Sequence, residues 1–244
     1  MKKIIAILIL LIFNISLAIG LENYKLLFIE ARSNQDKKLM QDLIATLENL
    51  KNPSISLKLI LAECYLEYGI WGAEEKNKKS YFERAFNLSQ EVIKADDKNG
   101  LAYYIAGISL SRLMGYMNVF QKIRKLTEFD DLMNKALKYI DDKIYKGLIL
   151  MGLAIRYMEP PWPFGDLKKA EMYLSETEKY LYNYSGLYLQ RGRLYIKMGQ
   201  RDEAEKMLRK VLDMGPHPLF LKAHKENVEE AKSLLTKLRG GESF

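Results

Sequence analysis

The residues that most often carry chemistry in proteins are few in this chain and lie far apart. Its two histidines, His217 and His224, are seven positions apart, and its only cysteine, Cys64, is remote from both. A metal site needs His, Cys or carboxylate ligands at spacings that let them converge, so the sequence predicts no metal site and no cofactor. Cys64 stands among apolar and aromatic residues, which is typical of a buried thiol.

Three pairs of adjacent aspartates, at 96–97, 130–131 and 141–142, are the remaining candidates for acid–base chemistry. Each pair adjoins a predicted helix end, where capping and solvation account for it. The sequence also lacks a Gly-x-Ser-x-Gly elbow, a phosphate-binding Walker loop and a dinucleotide-binding glycine pattern. We therefore predict that the protein is not an enzyme.

A series of cations gives a stronger indication of a binding surface. Arg112, Arg156 and Lys197 follow three glycines, 107, 152 and 192, by five, four and five positions, and Arg193 directly follows the last of these glycines. Such a set could hold a carboxylate or an acidic peptide segment through charge-assisted hydrogen bonds. The alternative is that these are solvated side chains. The candidate groove consists of Tyr104, Ile108, Arg112, Ile149, Arg156, Tyr157, Trp162, Leu189, Arg193 and Lys197.

Two of these aromatic residues, Tyr157 and Trp162, adjoin a proline-rich stretch at 159–165. Prolines stiffen the chain, so an aromatic side chain beside them could dock a partner at low entropic cost. The alternative is a loop that packs back on its own helices. A large loss of thermal stability in Trp162→Ala with unchanged partner binding would decide for that alternative.

The elements that must position these residues are helices. Leu, Ile, Tyr, Lys and Glu are abundant while Pro and Gly are sparse, a composition typical of packed helices. Ala136, Ala170 and Ala204 recur at intervals of 34 residues. From 185 to 218 the order aromatic-x3-Gly-x2-Tyr, then Ala-x3-large, then Pro resembles one tetratricopeptide repeat. We predict an all-α, right-handed superhelical solenoid with hairpins at 22–50, 54–95, 100–141, 143–181 and 185–214 and a C-terminal capping helix at 218–238.

The segment from Pro160 to Ala170, Pro-Pro-Trp-Pro-Phe-Gly-Asp-Leu-Lys-Lys-Ala, sharpens this resemblance. Together with a standard repeat after it, residues 143–215 resemble the divergent tetratricopeptide family that includes T-component proteins of bacterial TRAP transporters and eukaryotic regulators of microtubule dynamics. The resemblance implies a periplasmic helper that contacts a solute-binding protein, with a central pore for an apolar ligand. The chain has no lipobox cysteine.

The first twenty residues have the build of a secretory signal peptide. Lys2 and Lys3 precede an apolar run over 4–13, and small residues at 16 and 18 mark a cleavage site. We predict a signal peptide at 1–20, one domain at 21–244 and a periplasmic or secreted location. An uncleaved signal, the alternative, would provide the only membrane contact.

These inferences together predict an exported binding or scaffold protein of the cell envelope. Its concave groove would hold a protein partner or extended peptide, as an accessory to solute uptake. The alternative is a carrier of a small apolar or carboxylate ligand in a central cavity or pore, and self-association stays open. The charge of +7 becomes +5 without Lys2 and Lys3 (36 Lys and Arg against 31 Asp and Glu). Because charges of both signs alternate along the helices, we expect no nucleic-acid partner.

Overall fold

The computed structural model describes residues 20–160 and 163–240, and the secondary structure of these residues is helical. A helix over 20–34 (α1) comes first. The others are α2 (Lys37–Glu48), α3 (Ile55–Glu67), α4 (Glu75–Ala95), α5 (Gly100–Met114), α6 (Val119–Tyr139), α7 (Lys143–Met158), α8 (Leu167–Leu181), α9 (Ser185–Lys197), α10 (Arg201–Asp213) and α11 (Leu221–Gly240). A π-helical turn (Tyr68–Gly72) extends α3, and a 3₁₀ turn (Pro218–Phe220) precedes α11. The predicted signal peptide lies, except for residue 20, outside the described residues.

Helices α3 to α10 pair into four of the predicted hairpins, and α11 packs on α9 and α10 as the predicted capping helix. Helices α1 and α2 occupy the range predicted for the first hairpin. Local sequence sets the boundaries of these helices. The side chain of Asp166 accepts a hydrogen bond from the backbone nitrogen of Lys169 at 3.0 Å and so forms the N-cap of α8. Gly199 closes α9 with a φ of +73°, a conformation that glycine adopts without a steric penalty.

Small residues allow the helices of a hairpin to approach closely, as predicted. Ala136, Ala170 and Ala204 are completely buried on the second helices α6, α8 and α10. A Cβ atom added to Gly192 would lie only 2.6 Å from Leu208 of the partner helix. The three alanines therefore occupy equivalent environments.

Two spacings between a glycine and the following repeat alanine exceed the 12 positions from Gly192 to Ala204: 107 to 136 is 29 positions and 152 to 170 is 18. After α5 ends at Met114, α6 begins at Val119 and runs for 21 residues, so the surplus in this repeat lengthens a second helix. The other concerns Gly152, whose neighbours are Met133 of α6 and Ile108 of α5. Gly152 therefore faces the preceding hairpin, whereas Gly192 faces the second helix of its own hairpin. The two glycines are not equivalent, so positions counted from Gly152 do not correspond to positions counted from Gly192.

The array curves with the first helices of the hairpins on its inner side. α3, α5, α7, α9 and α11 contact one another in succession, whereas the described second helices do not. Near the two ends of the array, the hydroxyl of Ser33 donates to the carbonyl of Pro218 at 2.5 Å, and the amide of Gln35 donates to Glu226 at 3.2 Å. We call these contacts the clasp, and they close the array on itself. Among the described residues, no helix combines the length and the apolar character that crossing a bilayer requires.

Candidate functional sites: an interior charge cluster and an outer cleft

Ionisable side chains from four helices meet on the inner side of the closed array. Arg32 of α1, Glu63 of α3, Tyr104 of α5 and Tyr145 of α7 form this interior cluster. The hydroxyl of Tyr145 donates to the carboxylate of Glu63, and the rings of Tyr104 and Tyr145 meet edge-on at 5.4 Å. The guanidinium of Arg32 lies 5.1 and 5.3 Å from the ring centres of Phe28 and Phe220. Phe220 belongs to the 3₁₀ turn that precedes α11, so this contact links α1 to the last part of the helical array.

Burial dominates the electrostatics of this cluster. Glu63 is 6% exposed and Arg32 is 8% exposed. Burial raises the pKa of Glu63 from its usual 4.5 to about 7, although the charge of Arg32 and the hydrogen bond from Tyr145 act in the opposite direction. Burial likewise raises the pKa of Tyr104 and of Tyr145 above their usual value. The carboxyl group of Glu63 therefore changes its charge close to neutral pH, while Arg32 stays positive.

Sequence reasoning missed Arg32, Glu63 and Tyr145, although one signal was present. Helix α3 buries eight consecutive residues, 59 to 66, and Glu63 lies in the middle of them. A helix that is apolar on all sides has no solvated face for a carboxylate. A charged residue in such a helix therefore indicates a buried partner, which here is a tyrosine 82 positions away.

A cleft of about 1560 Å³ lies between the proline-rich loop and α9. The end of α7, the loop and the start of α8 form one wall, and α9 with Leu234 of α11 forms the other. We call it the proline-loop cleft. It brings together three residues of the predicted groove, Tyr157, Arg193 and Lys197, and adds Lys168 and Lys169.

Two of the four cations that line the proline-loop cleft, Lys169 and Lys197, are held by neutral oxygens. The ammonium group of Lys169 donates to the hydroxyl of Tyr157 at 2.7 Å and lies 4.0 Å from its ring centre. That of Lys197 donates to the carbonyl of Met158 at 3.1 Å, while the carboxylate of Glu159 is 3.7 Å away. Such contacts fix the position of a cation and leave much of its charge available. Arg193 is different, because it pairs with Glu230 of α11.

The remaining residues of the predicted groove are dispersed. Arg156 pairs with Asp130 of α6 at 3.0 Å and donates to the carbonyl of Phe164 at 2.8 Å, so it braces two hairpins and the loop. Arg112 is exposed on α5. Ile149 and Leu189 are buried in the core, and Ile108 packs against it. Tyr104 belongs to the interior cluster, and Trp162 lies outside the described residues.

Comparison with known proteins agrees with the helical repeats. A sequence profile described as regulator of microtubule dynamics protein 1-3 matches residues 25–149. The chain belongs to this family. This profile covers about half of the chain, at its N-terminal side. The resemblance to the same family that the sequence shows by eye covers 143–215, so the two ranges share only 143–149. A tetratricopeptide repeat profile matches residues 185–217, the segment in which the repeat pattern is clearest.

A solved structure supports the same fold for this member of the family. The crystal structure of a thermophilic tetratricopeptide repeat protein from Thermus thermophilus superposes with a TM-score of 0.59 at 16% identity, covering 88% of this chain and 97% of that one. At such low identity the likeness concerns the fold alone. No curated protein matches the chain. Tetratricopeptide folds typically serve as protein-interaction scaffolds, and this is the function class that the fold indicates.

Proposed function

We propose that the protein is an exported scaffold of the cell envelope that holds an acidic, extended segment of a protein partner in the proline-loop cleft. The predicted signal peptide supports export, and the fold supports a role in protein binding. A partner that is itself exported, such as a solute-binding protein, would make the chain an accessory to solute uptake. The interior cluster takes no direct part in this function.

One observation carries the choice of the cleft and the chemistry of the partner. Lys168, Lys169, Arg193 and Lys197 line one opening with only two carboxylates, those of Glu159 and Asp166. The side chain of Asp166 is already engaged as the N-cap of α8. Arg193 is paired with Glu230, so the incompletely neutralised donors that an acidic segment would find are Lys168, Lys169 and Lys197. Such donors are what charge-assisted recognition requires.

Fluorescence anisotropy with a labelled poly-glutamate peptide tests this proposal. We expect binding that weakens with ionic strength, since the contacts are solvent-accessible. The double variant Lys168→Gln/Lys197→Gln should bind more weakly by about two- to thirtyfold, because each of the two exposed ion pairs contributes about 0.2–1 kcal/mol. A poly-glutamine peptide should not bind.

The matched control is Lys206→Gln/Lys237→Gln, which removes the same charge from exposed positions on α10 and α11 outside the cleft. Equal weakening by both double variants would mean that only the net charge attracts the peptide, and it would refute the assignment to the cleft. Export is tested separately by the mass of the protein recovered from the cell envelope. A chain that retains residues 1–18 would contradict the predicted cleavage.

A further inference from the structure

An apolar pocket of about 590 Å³ lies on the other side of the proline-rich loop, between α5, α6 and α7. We call it the side pocket. Its volume falls within the range of small-molecule sites. Its apolar wall consists of Met114, Val119, Ile123, Leu126, Phe129, Gly152, Ile155, Pro160 and Phe164.

A few polar groups lie on this otherwise apolar wall. The Nε atom of Arg156 is buried and has no hydrogen-bond partner in the described structure, although other atoms of this guanidinium are paired. Lys122 also lines the pocket and forms no ion pair with any described residue. Asp130 does not line the pocket; its Oδ2 pairs with Arg156, and its buried Oδ1 has no hydrogen-bond partner in the described structure. The one carboxylate among the lining residues, that of Glu159, lies close to Lys197. The polar groups of the pocket therefore favour an anion.

The mouth of the side pocket is unusually apolar. Val119, which lines the pocket, is 64% exposed, and the adjacent Phe120 is 76% exposed. Large apolar side chains that continue from a pocket onto the surface indicate a binding site for an apolar molecule. Helix α6 begins at Val119, so this side chain lies on the first turn of the helix, and the next residue, Phe120, adds a second exposed apolar side chain to that turn.

We propose that the side pocket binds a single-chain amphipathic carboxylate, with its acyl chain against α5, α6 and α7 and its head group at Lys122. This site is separate from the peptide-binding function proposed above, although Glu159, Pro160 and Phe164 line both openings. It also differs from a central pore, since it lies away from the interior cluster.

Isothermal titration calorimetry with dodecanoate, below its micelle concentration, tests the proposal. We expect one dodecanoate per chain and weaker binding of dodecyltrimethylammonium, which has the same chain and the opposite charge. Ser111→Trp places a bulky side chain at an exposed position that lines the pocket. It should weaken dodecanoate binding by about tenfold or more, because it displaces several methylene groups. Ile123→Trp provides a second block if the first variant does not fold.

The head group is tested with a matched pair on α6. Lys122→Gln should weaken dodecanoate binding by about two- to fivefold, whereas Arg124→Gln, which removes the same charge from an exposed position outside the pocket, should not. Absence of binding, several equivalents per chain, or binding unchanged in folded Ser111→Trp and Ile123→Trp would overturn the site. Equal affinity for the cationic detergent, or equal effects of the two charge variants, would overturn the carboxylate assignment. Unchanged poly-glutamate binding in Ser111→Trp separates this result from the peptide proposal.

Discussion

Replacing Glu63 by glutamine should make the stability of the protein less dependent on pH. The new side chain would keep nearly the same volume and would resemble the protonated carboxyl group. In the wild type, Glu63 is 6% exposed and accepts a hydrogen bond from Tyr145. Burial nevertheless raises its pKa from 4.5 to about 7, because the opposing charge of Arg32 only partly offsets the loss of solvation.

The difference in pKa fixes the size and the sign of the effect. A change from 4.5 to about 7 corresponds to about 3 kcal/mol. The folded chain binds this proton more tightly than the unfolded chain. Protonation of Glu63 therefore adds to the free energy of unfolding; this stabilisation is fully present below pH 4.5 and is lost as the pH rises through 7. Between pH 4 and pH 8, the free energy of unfolding of the wild type should therefore fall by about 3 kcal/mol relative to that of Glu63→Gln.

Urea denaturation followed by circular dichroism at several pH values measures this difference. Subtracting the two free energies of unfolding largely cancels the titration of groups outside the cluster. Glu83→Gln, on the exposed side of α4, controls for the removal of one carboxylate. A difference between wild type and Glu63→Gln that stays constant with pH would refute the reasoning. A difference of the opposite sign would show that the attraction of Arg32 exceeds the cost of burial.

Three further substitutions test the packing. Tyr145→Phe removes the donor to Glu63, and urea unfolding should show a loss of about 1–2 kcal/mol at pH 8 and a smaller loss at pH 5. Ser33→Ala removes one contact of the clasp, so we expect a loss of about 1 kcal/mol and faster hydrogen exchange of the backbone at 219–226; unchanged exchange would mean that the clasp does not hold the two ends together. Ala170→Leu should cost about 1–3 kcal/mol by overpacking in urea unfolding, whereas Met172→Leu, exposed on the same helix, should cost little.

The hairpins could be predicted from sequence because each depends on contacts between residues close in the chain. Ala204 and Gly192 are twelve positions apart and belong to one hairpin, so their spacing directly reflects how two adjacent helices cross. Caps such as Asp166 depend on even fewer residues. This information is local, and a single sequence contains it.

The site was harder to predict because its geometry depends on how successive hairpins are rotated. Arg112, Arg156 and Lys197 all lie in the last turn of their helices, yet of these three only Arg156 pairs with a carboxylate on the second helix of the preceding hairpin, that of Asp130. Arg193, four positions before Lys197 on α9, pairs with Glu230 of α11 instead. The interior cluster joins residues from α1 and α7 that are separated by more than a hundred positions. Small rotations, summed over several repeats, decide such contacts.

Closure of the array also bears on where a partner can bind. Open arrays of this type offer their inner face to peptides, but here the clasp joins Ser33 and Pro218 across the opening and the inner side holds the buried pair Arg32 and Glu63. A peptide that binds the inner face would first require the clasp contacts to break. Because only the small fraction of molecules with an open clasp could bind it, the apparent affinity would be lower than the intrinsic affinity by that fraction. None of the clasp residues lines the proline-loop cleft, which presents its cations while the clasp is closed. A binding surface there needs no rearrangement of the clasp.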